Sequence, residues 1–121
     1  MNKFIEIPLY RIAHCRAGDK GDRSNISVIA WRPEFYTVLV DQVTIASVRL
    51  HFSFRNPGKI TRYLLPNIHA MNLVIDEVLD GGVNQALNLD SHGKALSYWL
   101  LDMNVSTPAE WKPLFAGPVK E

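Results

Sequence analysis

Apolar and polar positions divide the chain into short segments of recognisable period. Ile5–Ala17 reads as a strand whose end alternates, so that His14 and Arg16 share a face with Tyr10 and Ile12 while Ala13 and Cys15 point the other way. A dense polar stretch follows, from His14 to Asn25. Gly18–Asp22 within it reads as a turn, because glycine tolerates positive φ and Asp bonds its own neighbouring backbone. Ile26–Trp31 is apolar and rich in Ile and Val, which predicts a buried central strand.

Pro33 suits the first position of a helix, with Glu34 favourable near its positive end. Phe35, Leu39 and Val43 give that helix one apolar face, and Thr44 caps a second short helix whose core side is Ile45, Val48 and Phe52. Asn56-Pro57-Gly58 is a turn signal, Ile60–Leu65 reads as a strand, and Pro66 ends it. Asn67 then caps an expected helix with the stripe Met71, Val74, Ile75, Val78 and Leu79, stopped by Gly81-Gly82. A short strand over Ala86–Leu89 precedes a last helix, capped by Asp90 or Ser91, with Leu96, Trp99, Leu100 and Met103 inward.

From Thr107 onward Pro108, Pro113 and Pro118 predict an irregular tail, although Trp111, Leu114 and Phe115 make it too apolar to hang free. The expected organisation is one domain over residues 1–121, with its core at about residues 8–104 and a docking tail over 105–121. The order of elements predicts an α+β, ferredoxin-like fold: about four strands with antiparallel pairing and helices packed on one face. Such a layout leaves one sheet face, or an edge, open to a partner.

Composition narrows the function classes. With 13 basic against 12 acidic residues, the chain lacks the clustered basic excess of a nucleic-acid binder or an electrostatic membrane anchor. No apolar run approaches the roughly 20 residues that span a bilayer, and no signal peptide is visible, so a soluble cytoplasmic protein is expected. Cys15 is the single cysteine and fills core space rather than acting as a nucleophile. The four histidines are too scattered for a zinc motif, so neither a metal nor a cofactor is expected.

The polar loop offers several chemistries. Gly18 and Gly21 would let amide hydrogens converge on an anion, with Arg16, Lys20 or Arg23 adding charge. Asp19 and Asp22 oppose that charge; they would instead hold the cations in place or coordinate a hard cation. A tight hairpin whose Asp and Asn side chains satisfy backbone amides explains the same residues without a ligand. His14 with Asp19 or Asp22 could form an acid–base pair, or could simply bond loop backbone. A second cluster places Arg62, Asn67, His69 and Asn72 around a strand-to-helix junction, and a third, Asp90–Lys94, stands at another helix start. The candidate binding residues are therefore Arg16, Gly18, Asp19, Lys20, Gly21, Ser24, Asn25, Arg62, Asn67, His69 and Lys94, with His14 and Asp22 as candidate catalytic groups.

Together the clusters resemble the AtuA-like ferredoxin-fold domain, the C-terminal domain of acyclic terpene utilisation protein A and its relatives. The resemblance runs over roughly residues 9–103. It is carried by Ala13-His14 with Arg16, Gly18–Asp22, Ser24-Asn25-Ile26, Arg62-Tyr63, Leu65-Pro66-Asn67, His69-Ala70, Asn72, Gly81-Gly82, Leu89-Asp90 and Gly93-Lys94. Ala17 departs from an expected serine, and Asn84-Gln85-Ala86 from an expected hydroxyl residue, arginine and serine. The resemblance implies a role in bacterial catabolism beside enzymes that handle acyl-CoA derivatives. The larger members carry a long N-terminal domain for which 121 residues leave no room, so the chain is expected to act alone, as a homo-oligomer, or beside a separate chain supplying that domain.

Three readings follow. In the first the chain is an accessory or regulatory subunit that takes an anionic small molecule, such as an acyl-CoA, at the Gly18–Asp22 loop. In the second it is a small enzyme in which His14 is a general base assisted by Asp22 and Lys20 stabilises an oxyanion. In the third it is a structural oligomerisation module. A homodimer is the default assembly.

Overall fold

The computed structural model describes residues 3–20, 23–76 and 92–115. Strand β1 (Phe4–Pro8) ends at Pro8, whose φ of −70° and missing N–H stop the ladder. A 3-10 turn over Leu9–Arg11 carries the chain into β2 (Ala13–Lys20), and the fully buried Leu9 anchors that turn. The single strand expected over Ile5–Ala17 is thus two strands in two different sheets.

The larger sheet has four strands in the order β2-β3-β5-β4, with β3 at Arg23–Ala30, β4 at Ile60–Leu65 and β5 at Ala70–Ile75. All of its pairings are antiparallel. The smaller sheet joins β1 to β6 (Asn104–Pro108), from Phe4 opposite Pro108 to Pro8 opposite Asn104. Between the strands run α1 (Tyr36–Gln42), entered through a 3-10 turn at Pro33–Phe35, α2 (Ile45–His51) and α3 (His92–Leu101). Thr44 caps α2 as expected: its hydroxyl accepts from the Ser47 N–H at 3.1 Å while the Ser47 hydroxyl receives the Thr44 N–H at 3.0 Å. A reciprocal cap of this kind stabilises a helix by about 1 kcal/mol.

One core sits between the four-stranded sheet and everything else. Ile26 and Val28 from β3 and Met71, Leu73 and Ile75 from β5 meet Phe35, Leu39 and Val43, Val48 and Phe52, Leu96 and Leu100, and Ile7 and Val105. Fully burying one such side chain stabilises by about 1.5–3 kcal/mol. The α+β, ferredoxin-like architecture therefore holds, with the helices on one face of the sheet and the β1–β6 pair on that same side. Among the described residues no helix is long and apolar enough to cross a membrane.

Several expectations change. The stretch after Pro66 is not a helix capped by Asn67. Pro66–Ile68 is a 3-10 turn, His69 takes the left-handed conformation at φ 53°, and Ala70–Ile75 returns as a strand. Its stripe reads Met71, Leu73 and Ile75 buried with Asn72 and Val74 half-buried, a period of two. Strand β3 is central but buried on one face only, because Asn25 is exposed and Ser27 and Ile29 are half-buried. Ile45 and Trp99 are exposed rather than inward. The tail is ordered by its own chain: β6 contains Thr107 and Pro108, a 3-10 stretch covers Ala109–Leu114, and Trp111, Leu114 and Phe115 pack on the core. The expected Val78 and Leu79 end of the stripe, the Gly81-Gly82 stop, the Ala86–Leu89 strand and the Asp90 or Ser91 cap lie outside the described residues.

Candidate functional site

Directly opposed residues of a sheet share a face, so the registers sort the polar clusters. With Ile26, Val28, Leu73 and Met71 turned into the core, the alternate positions face outward. Reading across the four strands, one rung is His14, Ile29, Ala70 and Leu65. The next is Arg16, Ser27, Asn72 and Tyr63, and the third is Gly18, Asn25, Val74 and Thr61. No described helix or strand packs on this face, since each of the three helices and both strands of the small sheet send their buried side chains to the other side. The open sheet face expected from the fold class is therefore present among the described residues, and it is polar through its middle.

Arg16 is exposed and has no carboxylate partner among the described residues. The Ser27 hydroxyl donates to Asn72 Oδ1 at 3.4 Å, a long bond that leaves both groups able to meet a ligand. His14 stacks on Trp31 with ring centroids 4.2 Å apart and planes tilted by 34°. Partial burial, and secondarily the charge of Arg16, hold the His14 pKa below its ordinary 6.5, so this imidazole is neutral at pH 7. None of the twelve outer positions of these rungs is an Asp or Glu. Arg16 is the one charged group on these rungs, and beyond Val74 the next outer position is Asp76, which pairs with Arg23.

The sequence-derived candidates divide accordingly. His14, Arg16, Gly18 and Asn25 come together on the outer face. Gly18 is strand rather than turn, its φ is not positive, and a Cβ there would meet nothing within 4 Å, so the backbone nest expected from this glycine is not formed by it. Asp19 and Lys20 are placed by register opposite Ser24 and Arg23, while Gly21 and Asp22 lie outside the described residues. His14 and Lys20 stand at opposite ends of β2, roughly 20 Å apart along the strand. Ser24 is fully buried on the core face, and its Oγ finds no partner among the described residues.

Arg62 is also turned to the core side. Its Nη1 donates to the carbonyls of Val40 at 2.9 Å and Val43 at 2.8 Å, satisfying the C-terminal end of α1, where a cation is favourable. Asn67 and His69 sit at the end of the sheet away from Arg23. Asn67 is exposed in its 3-10 turn; the His69 carbonyl receives the Ala30 N–H at 3.0 Å and its ring meets Tyr36 edge-on. Lys94 lies on α3, which packs on β2 from the core side. Arg62 thus stands on the opposite face of the sheet from Arg16, while Asp90 and Ser91 of the third cluster lie outside the described residues. At the hairpin end Arg23 is instead tied to Asp76 by a 2.6 Å ion pair.

Sequence reasoning missed Ser27, Tyr63 and Thr61 as members of the same outer face and Trp31 as the ring stacked on His14, and placed Asn72 on a helix. The signal was present in the alternation of Asn25 and Ser27 with Ile26 and Val28, and in Asn72 as the lone polar residue of an apolar run. Cys15 behaves as expected: it packs against the core, and burial pushes its thiol up to about 12. A shallow depression of about 620 Å³ opens on the helical side between Asp41, Gln42, Ser47, His51 and Asn104, and none of the sequence-derived candidates lines it.

A family model described as the AtuA ferredoxin-like domain matches residues 7–106, most of the chain. No curated protein and no solved structure matches it significantly.

Proposed function

This chain belongs to the AtuA ferredoxin-like domain family, and from that premise we propose that it is an accessory subunit of a bacterial catabolic assembly that takes an anionic small molecule, of the acyl-CoA class, on its open sheet face. The observation behind this reading is the rung Arg16–Ser27–Asn72–Tyr63, which carries a guanidinium, an amide and two hydroxyls, while Asp76 further along the same face is held by Arg23 at 2.6 Å. Arginine suits planar anion recognition, because its fork of N–H donors matches carboxylate and phosphate. Lys20 of the Gly18–Asp22 stretch would supply a second cation, against Asp19 and Asp22 in the same stretch and with Arg23 already paired to Asp76.

The test is a thermal-shift titration of wild type, Arg16→Gln and Lys20→Ala against phosphate, coenzyme A and acetyl-CoA. A ligand selective for the folded state raises its stability in a saturable way. Saturable stabilisation of wild type, weakened in Arg16→Gln, supports the reading. No shift with any of the three ligands rejects it and directs the search to a protein partner.

One observation favours a second reading, a small thioester-handling enzyme. His14 lies on the open face one outer position from Arg16 and stacks on Trp31, which places an imidazole beside the candidate anion site. Turnover of a thioester that disappears in a folded His14→Ala protein would establish it, and absence of turnover across a broad thioester panel would remove it.

A further inference from the structure

Strand β4 is an edge of the four-stranded sheet, and its outer side has no strand beside it among the described residues. The Asp76 N–H bonds the Lys59 carbonyl at 2.9 Å, and the Ala30 N–H bonds the His69 carbonyl at 3.0 Å. The antiparallel alternation that starts from these two bonds turns the backbone groups of Thr61, Tyr63 and Leu65 toward β5 and those of Ile60, Arg62 and Leu64 toward the open edge. An exposed row of this kind is a template for another strand unless something blunts it. The other edge strands are blunted: β1 and β6 end in Pro8 and Pro108, and β2 carries the exposed Arg16. Strand β4 has no proline, and its one charged side chain, Arg62, is turned under the sheet onto the Val40 and Val43 carbonyls. Its far end is apolar on both faces, with Tyr63 54%, Leu64 43% and Leu65 41% exposed.

We propose that β4 pairs antiparallel with β4 of a second copy of this chain, joining the two sheets into one about a two-fold axis at Tyr63. The edge calls for an extended segment that is apolar on both faces and brings no charge, because Arg62 is already satisfied; β4 itself meets that description. With Tyr63 opposite its own copy, Leu65 lies beside Thr61 of the other copy on the outer face, and Leu64 lies beside the aliphatic stem of Arg62 on the core face. Moving the axis to Arg62 sets two like-charged residues directly opposite each other, which is unfavourable. Moving it to Leu64 puts Pro66, which has no N–H, opposite Arg62 and shortens the ladder. Moving it to Thr61 puts Gly58 opposite Leu64, and the Gly58 N–H is already given to the Asp76 carbonyl at 2.8 Å. In the favoured register the rung Arg16–Ser27–Asn72–Tyr63 runs on into its own reverse, with the two Arg16 residues about 33 Å apart at ~4.8 Å per strand. The pairing does not depend on what the outer face binds.

The test is sedimentation velocity of the intact chain over a dilution series, for wild type, Leu64→Pro, Tyr63→Lys and Leu50→Lys. Leu64→Pro removes an N–H that faces the edge and none that faces β5. Each lost bond is worth about a factor of five, and the two-fold axis counts it twice, so self-association should weaken about thirty-fold. Tyr63→Lys sets like charges across the axis and should weaken it as well. Leu50→Lys alters an exposed leucine of α2, on the helical side, and should leave the dimer intact. The second measurement is mild oxidation of Tyr63→Cys and Thr61→Cys, with wild type as the control for Cys15. The Cα atoms of the opposed residues at 63 would be about 4.5 Å apart, within disulfide range, whereas those at 61 would be about 13 Å apart. A disulfide-linked dimer from Tyr63→Cys with none from Thr61→Cys, and dissociation in Tyr63→Lys or folded Leu64→Pro, support the proposal. A wild type that stays monomeric at every concentration overturns it, as does a dimer that Tyr63→Lys leaves intact or that Leu50→Lys abolishes. A dimer whose Tyr63→Cys and Thr61→Cys forms cross-link equally, or not at all, also overturns it, whether or not Leu64→Pro folds.

Discussion

His51 and Trp99 hold each other by two reciprocal hydrogen bonds. The Trp99 Nε1–H donates to the His51 carbonyl at 2.8 Å, and His51 Nε2 donates to the Trp99 carbonyl across 2.7 Å. Their rings stack at 4.7 Å with planes 19° apart, and Phe54 meets Trp99 edge-on at 5.3 Å. The pair fastens the end of α2 to α3, two helices far apart in sequence. Trp99→Phe keeps a stacked ring but removes the donor, and should lower stability by about 1–2 kcal/mol. Urea denaturation should show an earlier midpoint with an unchanged slope; an unchanged midpoint would mean the indole bond contributes nothing.

Arg62 belongs to the fold rather than to the ligand face. Arg62→Met should cost about 2 kcal/mol, the worth of charge-assisted bonds to the Val40 and Val43 carbonyls. Coenzyme A affinity of the folded variant should stay at the wild-type value. A stable variant with lost binding would move Arg62 back among the candidate ligand residues.

His14 should titrate below 6.5 when its ring protons are followed by NMR. Its folded pKa is depressed, so its contribution to stability is present above pH 6.5 and is lost as the pH falls through the folded value. Arg16→Gln should raise the midpoint only part of the way, because burial is the larger cause and remains. Full return to 6.5 would show that Arg16 alone had been responsible.

Cys15 should resist alkylation in the native protein. A thiol shifted from 9.0 to about 12 has about a thousand-fold less thiolate at pH 8. Iodoacetamide should therefore label native protein at least a hundred-fold more slowly than urea-unfolded protein. The same raised pKa contributes stability that is complete below pH 9.0 and is lost between 9.0 and about 12, so the midpoint of unfolding should fall as pH rises through that window.

Local signals made much of this legible in advance. Phe35, Leu39 and Val43 are all fully buried, as a spacing of four requires, and Thr44 caps its helix through its own hydroxyl. Strand β5 was misread because the same letters fit two periods. Met71, Val74 and Ile75 make a helical stripe, and Met71, Leu73 and Ile75 make a strand face. The left-handed backbone of His69 and the pairing with β3 and β4 decide it, and neither is a local property. Strand β6 was invisible for a similar reason: five residues containing Pro108 become a strand because β1 lies beside them. For the site, the residues were found before the face was. His14, Arg16 and Asn25 were singled out from sequence, but the registers were needed to show that Ser27, Asn72 and Tyr63 join them and that Ser24 and Arg62 do not.

The β1–β6 ladder closes the molecule like a clasp, with the Ala109 N–H bonded to the Lys3 carbonyl at 2.9 Å. Residues 3 and 109 can meet only after the intervening chain has compacted, so this pair should zip late in folding and open first under load at the ends. A circular permutant that joins the two termini through a flexible linker and opens the chain at an exposed position such as Ser53-Phe54 would turn this distant contact into a nearer one. It should refold faster than the parent while keeping the ligand face intact.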